Sequence, residues 1–98
     1  MNDNVNHPSH YNVEGKKECI DEMIDLFGIE NTIIFALLNA YKYMYRDGLK
    51  SLSLDDREKA KWYLDWVDNK IKVYRLQNTV CAQYYYNLVS KYKSTYLN

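Results

Sequence analysis

Phe35, Asn39, Lys42 and Arg46 follow one another at spacings of four, three and four. On a helix that spacing places an amide, an ammonium and a guanidinium on one stripe about two turns long. Arg offers a planar fork for phosphate oxygens and Lys a compact point charge, a combination suited to a nucleotide phosphate. Lys50 and Lys59 follow within the next turns of chain, with Tyr43, Trp62 and Tyr63 as aromatic neighbours and Asp56 as a nearby carboxylate. The competing reading is a solvated helix face whose bases offset the negative end of the helix dipole. Both stand at this level.

Other chemistry is thinner. His7 and His10 flank Pro8 and Ser9. An HxxH pair across a proline has no helical geometry and no fixed third ligand, so metal binding is the lesser reading. A proline-stiffened arm packing Tyr11 on the core and an arm that contacts a ligand remain open alternatives. Glu18, Asp21 and Glu22 are similar to the acidic face with which all-α nucleoside triphosphate pyrophosphatases hold magnesium. The second helix supplies no matching acids, so a solvated surface accounts for them better. There is no GxxxxGK[ST] loop, no GxGxxG after a strand, and no supported Ser, His and Asp arrangement.

The elements that must position these residues are helices. Lys16 to Phe27 carries Ile20, Met23, Ile24 and Phe27 on one face, and Gly28 is a natural stop. Glu30 to Asp47 is the second helix, with Asn31 as its cap, Gly48 just past its end, and a buried face of Ile33, Ile34, Leu37, Leu38, Tyr41, Met44 and Tyr45. Ser53 and Asp56 have the form of a capping box opening the third helix. From there Ala60, Leu64, Val67, Ile71, Tyr74, Asn78, Cys81, Tyr85, Leu88 and Tyr92 step alternately by four and three, a coiled-coil seam with Asn78 at a core position. Trp66, Val73 and Val80 form a second stripe.

The expected fold is an all-α, small helical domain with a long C-terminal coiled-coil-like helix that oligomerises. Residues 1–14 form an extended arm, 15–65 a nucleotide-binding core and 66–98 a tyrosine-rich oligomerisation helix, with Tyr84, Tyr85 and Tyr86 near the contact. A competing reading breaks the last helix around Gln77 to Thr79, where helix propensity is weakest, and folds the remainder back as a fourth helix.

Composition narrows the partners. The 98 residues balance 13 Lys plus Arg against 13 Asp plus Glu. No global field draws the chain to DNA or to an acidic membrane, and any anion site must be local. Eleven tyrosines suit interfaces or stacked bases. Two cysteines, Cys19 and Cys81, form no disulfide framework or zinc cluster and fit a reducing cytosol. The apolar runs are too short to span a membrane.

Several motifs together carry a resemblance: NHPSHYN, ECID, N-x-x-K-Y-x-x-R, a downstream Lys, an acidic pair and KA-x-WYLD. In this order they resemble a family of small bacteriophage proteins of mostly unknown function, one member of which is a coliphage nucleotide kinase that lacks a P-loop. The resemblance covers Asn6 to Asp65. It implies phage origin, the cytoplasm of an infected bacterial host, a homo-oligomer, and nucleoside phosphates as ligands, with magnesium carried by the nucleotide as the one cofactor to consider. Arg57 and Glu58 depart from the family's more usual Leu and basic residue.

Carried over residue by residue, the ligand-binding positions are His7, His10, Tyr11, Asn39, Lys42, Tyr43, Arg46, Lys50, Lys59, Trp62 and Tyr63. In the kinase reading Lys42, Arg46 and Lys59 neutralise phosphates, Asn39 fixes an oxygen, and Tyr43 or Trp62 stacks the base. His10 or Asp56 would then be catalytic, relieving the acceptor oxygen of its proton. Phosphoryl transfer demands mainly positioning and charge stabilisation, so a P-loop is not obligatory. In the alternative the same pocket sequesters a nucleotide immune signal, a cyclic oligonucleotide or an ADP-ribose-like molecule, and no chemistry follows.

Overall fold

The computed structural model describes residues 17–47, 49 and 54–97, and among them every regular element is helical. These are α1 (Cys19–Phe27), α2 (Ile29–Arg46), α3 (Leu54–Val73) and α4 (Val80–Tyr96). The expectations placed on residues 1–14, Gly48, Lys50 and Ser53 lie outside the described residues.

Gly28 joins the first two helices. Its φ of +89° is one that residues with a Cβ rarely adopt, yet a Cβ there would meet nothing within 4 Å. The requirement is therefore conformational rather than steric. Its N–H donates to Ile24 O at 2.9 Å and closes α1, while its carbonyl accepts from Thr32 N at 3.1 Å and opens α2. The buried Thr32 hydroxyl donates to the same carbonyl at 2.8 Å. Asn31 is not the cap that the sequence suggested: its side-chain amide donates back to Phe27 O at 2.8 Å, and Gly28 occupies the capping position.

The core forms where α2 and α3 run side by side. Ile33, Ala36, Leu37 and Ala40 of α2 meet Leu64, Val67 and Ile71 of α3, and Cys81 and Ala82 of α4 complete the cluster. Alanines at Ala36, Ala40, Ala60 and Ala82 are fully excluded from solvent, so the helix axes approach closely. The buried face of α2 is narrower than its apolar pattern suggested. Leu38, Tyr41 and Tyr45 are exposed, because α3 and α4 cover only one side of the helix.

The long C-terminal helix does not form. α3 ends at Val73 and α4 starts at Val80, which is the broken arrangement held as the competing reading. The stop is a Schellman motif: Leu76 N–H bonds Ile71 O at 2.9 Å and Arg75 N–H bonds Lys72 O at 3.3 Å. Arg75 supplies the left-handed residue, with φ +57°. Leu76 packs on the core cluster, of which Ile71 is part, the apolar contact typical of the motif. Thr79 then caps α4, its Oγ1 accepting from Ala82 N at 3.2 Å and donating to Leu76 O at 2.7 Å.

The seam closes on itself. Leu64, Val67 and Ile71 share a cluster with Cys81, Tyr85, Leu88 and Tyr92 of the returning helix, so one chain satisfies a stripe that a straight helix would have offered to a second. Asn78 and Tyr74 are exposed in the reversal and occupy no core position.

Candidate functional site

Asp56, Lys59 and Tyr63 step by three and four along α3, with Ala60 next to Lys59, and share a face. Ala60 at the centre is buried against α2, so its neighbours are carried to the α2 stripe of Phe35, Asn39, Tyr43 and Arg46. Tyr63 lies between two α2 rings. Its centroid is 6.1 Å from that of Tyr43 with planes 12° apart, and 6.4 Å from that of Phe35 in an edge-on arrangement. Trp62 packs at 90° to Tyr63, with centroids 5.1 Å apart.

Three cations converge on the Tyr43 ring. Lys42 Nζ lies 4.7 Å from the ring centroid, Lys59 Nζ 5.6 Å and the Arg46 guanidinium carbon 5.7 Å. Each gains from the negative face of the phenol ring, about 0.5–1 kcal/mol at an open site. All three heads consequently gather around one ring. Tyr43 has its π-surface committed to Tyr63 and to these cations, which makes it a support for charge rather than a platform for a base.

One carboxylate enters the cluster. Asp56 is buried, 5% exposed, and its Oδ2 lies 3.8 Å from Arg46 Nε. Three positive groups face this single negative one, leaving a local surplus of positive charge. Lys42 is exposed, while Asn39, Tyr43, Arg46, Lys59, Trp62 and Tyr63 are half-buried. The cluster is thus open to solvent on one side and backed by packed rings on the other.

A second ion pair crosses beside the first. Asp47 Oδ2 lies 3.7 Å from an Arg57 Nη, so two consecutive residues at the end of α2 meet two consecutive residues near the start of α3. The Tyr96 ring of α4 lies under the Arg57 guanidinium at 4.4 Å, and its hydroxyl donates to the Asp47 carboxylate. Burial, then that hydrogen bond and the Asp47 charge, push the Tyr96 hydroxyl up to about 12. Arg57 Nε is buried with no hydrogen-bond partner among the described residues. Together these groups hold the two ends of the α2–α3 connection and so fix the base from which Arg46 projects.

Of the residues expected from the sequence, Lys42, Tyr43, Arg46, Lys59 and Tyr63 come together, with Asp56 against Arg46 and Trp62 at the edge. Asn39 sits half-buried on the same helix, about one turn from Phe35 and from Tyr43. His7, His10, Tyr11 and Lys50 lie outside the described residues. Asp47, Arg57 and Tyr96 were not among the expected site residues, and no local motif marks them. Among the described residues no three carboxylates, imidazoles or thiols gather as a metal site, and no helix is long and apolar enough to cross a membrane.

No curated protein and no solved structure matches the chain. A family model described as a protein of unknown function (DUF3310) matches residues 5–65. That segment holds all three cations, Tyr43, Tyr63 and the Arg46–Asp56 pair, while Tyr96 lies beyond it. Because the match spans more than half of the sequence, the chain belongs to the DUF3310 family.

Proposed function

We propose that this protein binds nucleoside phosphates at the cluster over Tyr43, as a phage-encoded protein in the cytoplasm of an infected bacterium. The observation that carries the reading is the convergence of Lys42, Lys59 and Arg46 within 4.7, 5.6 and 5.7 Å of one aromatic ring. Three like charges held together by two helices repel one another, and a polyanion relieves that repulsion. In this reading the cations take the phosphates, Asn39 donates its amide to an oxygen, and Trp62 offers its face to the base. Magnesium enters on the nucleotide, bound to its phosphates.

The resemblance extends the reading to transfer of a phosphoryl group to a deoxynucleoside monophosphate. One observation favours the alternative, sequestration of a nucleotide immune signal without chemistry. Asp56, the described candidate for accepting a proton, is buried and turned to Arg46, a role that stabilises a cation rather than activating an acceptor. A panel of labelled nucleotides separates the two. Recovery of unchanged ligand after tight binding supports sequestration, and a moved phosphoryl group supports the kinase. Lys42→Ala with Arg46→Ala abolishes binding in either case while leaving the helical spectrum intact; retained affinity overturns the site.

A further inference from the structure

A groove of about 440 Å³ runs between α2 and α4, lined by Ile34, Leu38 and Tyr41 on one side and Tyr84, Leu88 and Lys91 on the other. It lies on a different stripe of α2 from the cationic cluster and does not depend on the reading given to that cluster. Its walls are apolar and open to solvent: Leu38 is 66% exposed, Tyr41 45% and Tyr84 53%, and Tyr45 continues the row at 65%. Rows of this kind on a small chain mark an interaction surface.

The two helices that form it are parallel. α3 reverses direction from α2 and α4 reverses from α3, and Tyr96 at the end of α4 reaches Asp47 at the end of α2. The groove therefore has two distinguishable ends. Glu30, exposed and one turn before Ile34, extends the α2 wall at the N-terminal end, and Lys91 stands at the C-terminal end of the α4 wall. Among the described residues neither has a charged partner.

We infer that the groove is the contact surface of an isologous homodimer, with a second copy of this chain laying its own α2 and α4 antiparallel across it. A twofold axis through the middle of the groove brings Leu38, Tyr41, Tyr84 and Leu88 of both copies together as a dry centre. The same axis carries Lys91 of each copy toward Glu30 of the other, so opposite charges meet at both rims. A parallel arrangement sets like against like. The charge pattern thus specifies orientation as well as partner, and a chain of zero net charge offers no global repulsion to a second copy.

Sedimentation of the full chain over a range of concentrations tests this. The parent forms a dimer at about 100 µM, and Leu38→Glu, which puts two carboxylates into the apolar centre, weakens it by about a hundredfold or more. Glu30→Lys alone and Lys91→Glu alone each weaken it about tenfold, since each reverses two rim contacts. The double reversal restores the parent affinity. All three substitutions fall on exposed positions, and circular dichroism confirms that each variant is folded. A parent that stays monomeric overturns the inference, as does a dimer indifferent to Leu38→Glu or a double reversal no better than the single ones. A chain that dimerises only after removal of residues 1–16 assigns the groove to its own N-terminal segment and overturns it equally.

Discussion

Replacing Lys59 by Gln gives the cationic cluster its clearest trial, because the structure sets opposite expectations with and without a ligand. In the free protein Lys59 shares the Tyr43 ring with Lys42 and Arg46. Two like charges share that ring and oppose Lys59, an effect weakened by the solvent that screens a half-exposed site. Its contact with the ring returns about 0.5–1 kcal/mol, and Asp56 lies one turn away on the same helix. These terms nearly cancel, so Lys59→Gln shifts the stability of the free protein by no more than about 0.5 kcal/mol. A charge-assisted contact to phosphate contributes about 1.5–3 kcal/mol, so the variant binds a polyphosphate roughly thirtyfold more weakly.

Urea denaturation with and without tripolyphosphate reads both quantities. At a ligand concentration about a hundred times the parent dissociation constant, the parent gains about 2.7 kcal/mol and the variant about 0.9 kcal/mol. Equal gains refute the proposed role of Lys59. A loss of more than about 1.5 kcal/mol in the absence of ligand identifies Lys59 as a structural residue and refutes the argument from repulsion. The comparison with Lys61→Gln is instructive, since Lys61 is exposed and holds Asp65 at 2.7 Å. That substitution leaves the ligand-dependent gain unchanged.

Further expectations concern the frame. Arg75→Gly removes the strain of a left-handed non-glycine residue and raises stability by up to about 1 kcal/mol in urea denaturation. Leu64→Ala and Ile71→Ala, both in the α2–α3–α4 core, each cost about 2–5 kcal/mol by the same assay. Truncation after residue 65 removes Val67, Ile71, Cys81 and Ala82 from that core and yields a chain without cooperative unfolding. Tyr85, raised to about 12 by burial and then by the charge and hydrogen bond of Asp68, and Tyr96, raised to about 12, ionise later than tyrosines of the unfolded chain. Folded-state values above the unfolded ones mean that this contribution is complete below about pH 10. It is lost as pH rises from there through about 12. Ultraviolet titration of the folded protein shows a delayed phenol fraction, smaller in Tyr96→Phe.

Much of the cation cluster was legible because it is local. The spacing of Asn39, Lys42 and Arg46 defines a helix face whatever that face packs against, and Lys59 follows from the same periodicity one helix later. Groups joined across the chain were not legible: Asp47, Arg57 and Tyr96 come from three separate segments and no short motif links them. The reversal after Val73 escaped the leading reading for a related reason. A left-handed C-terminal stop is announced by Gly or Asn, and here Arg75 adopts it, held by Leu76 on the core and by the Thr79 cap. Of the expected seam, Tyr74 and Asn78 fall in the reversal and are exposed, while the residues on either side of it pack. What periodicity could not decide was whether its two halves face another chain or each other.

The closed seam changes what the family segment can do alone. Residues 5–65 carry the DUF3310 match and every cation of the cluster, yet half of the core that holds α2 against α3 comes from later residues. The hairpin of α3 and α4 supplies that half, and its last turn returns to the α2–α3 connection through Tyr96. Arg57 is the residue that Tyr96 meets. A Leu in its place has no charge for the Asp47 carboxylate and no cation for the Tyr96 ring, so the clamp belongs to a chain that has both Arg57 and α4. The three cations lie within the family segment, and the base that holds Arg46 in their company draws on α4 beyond it.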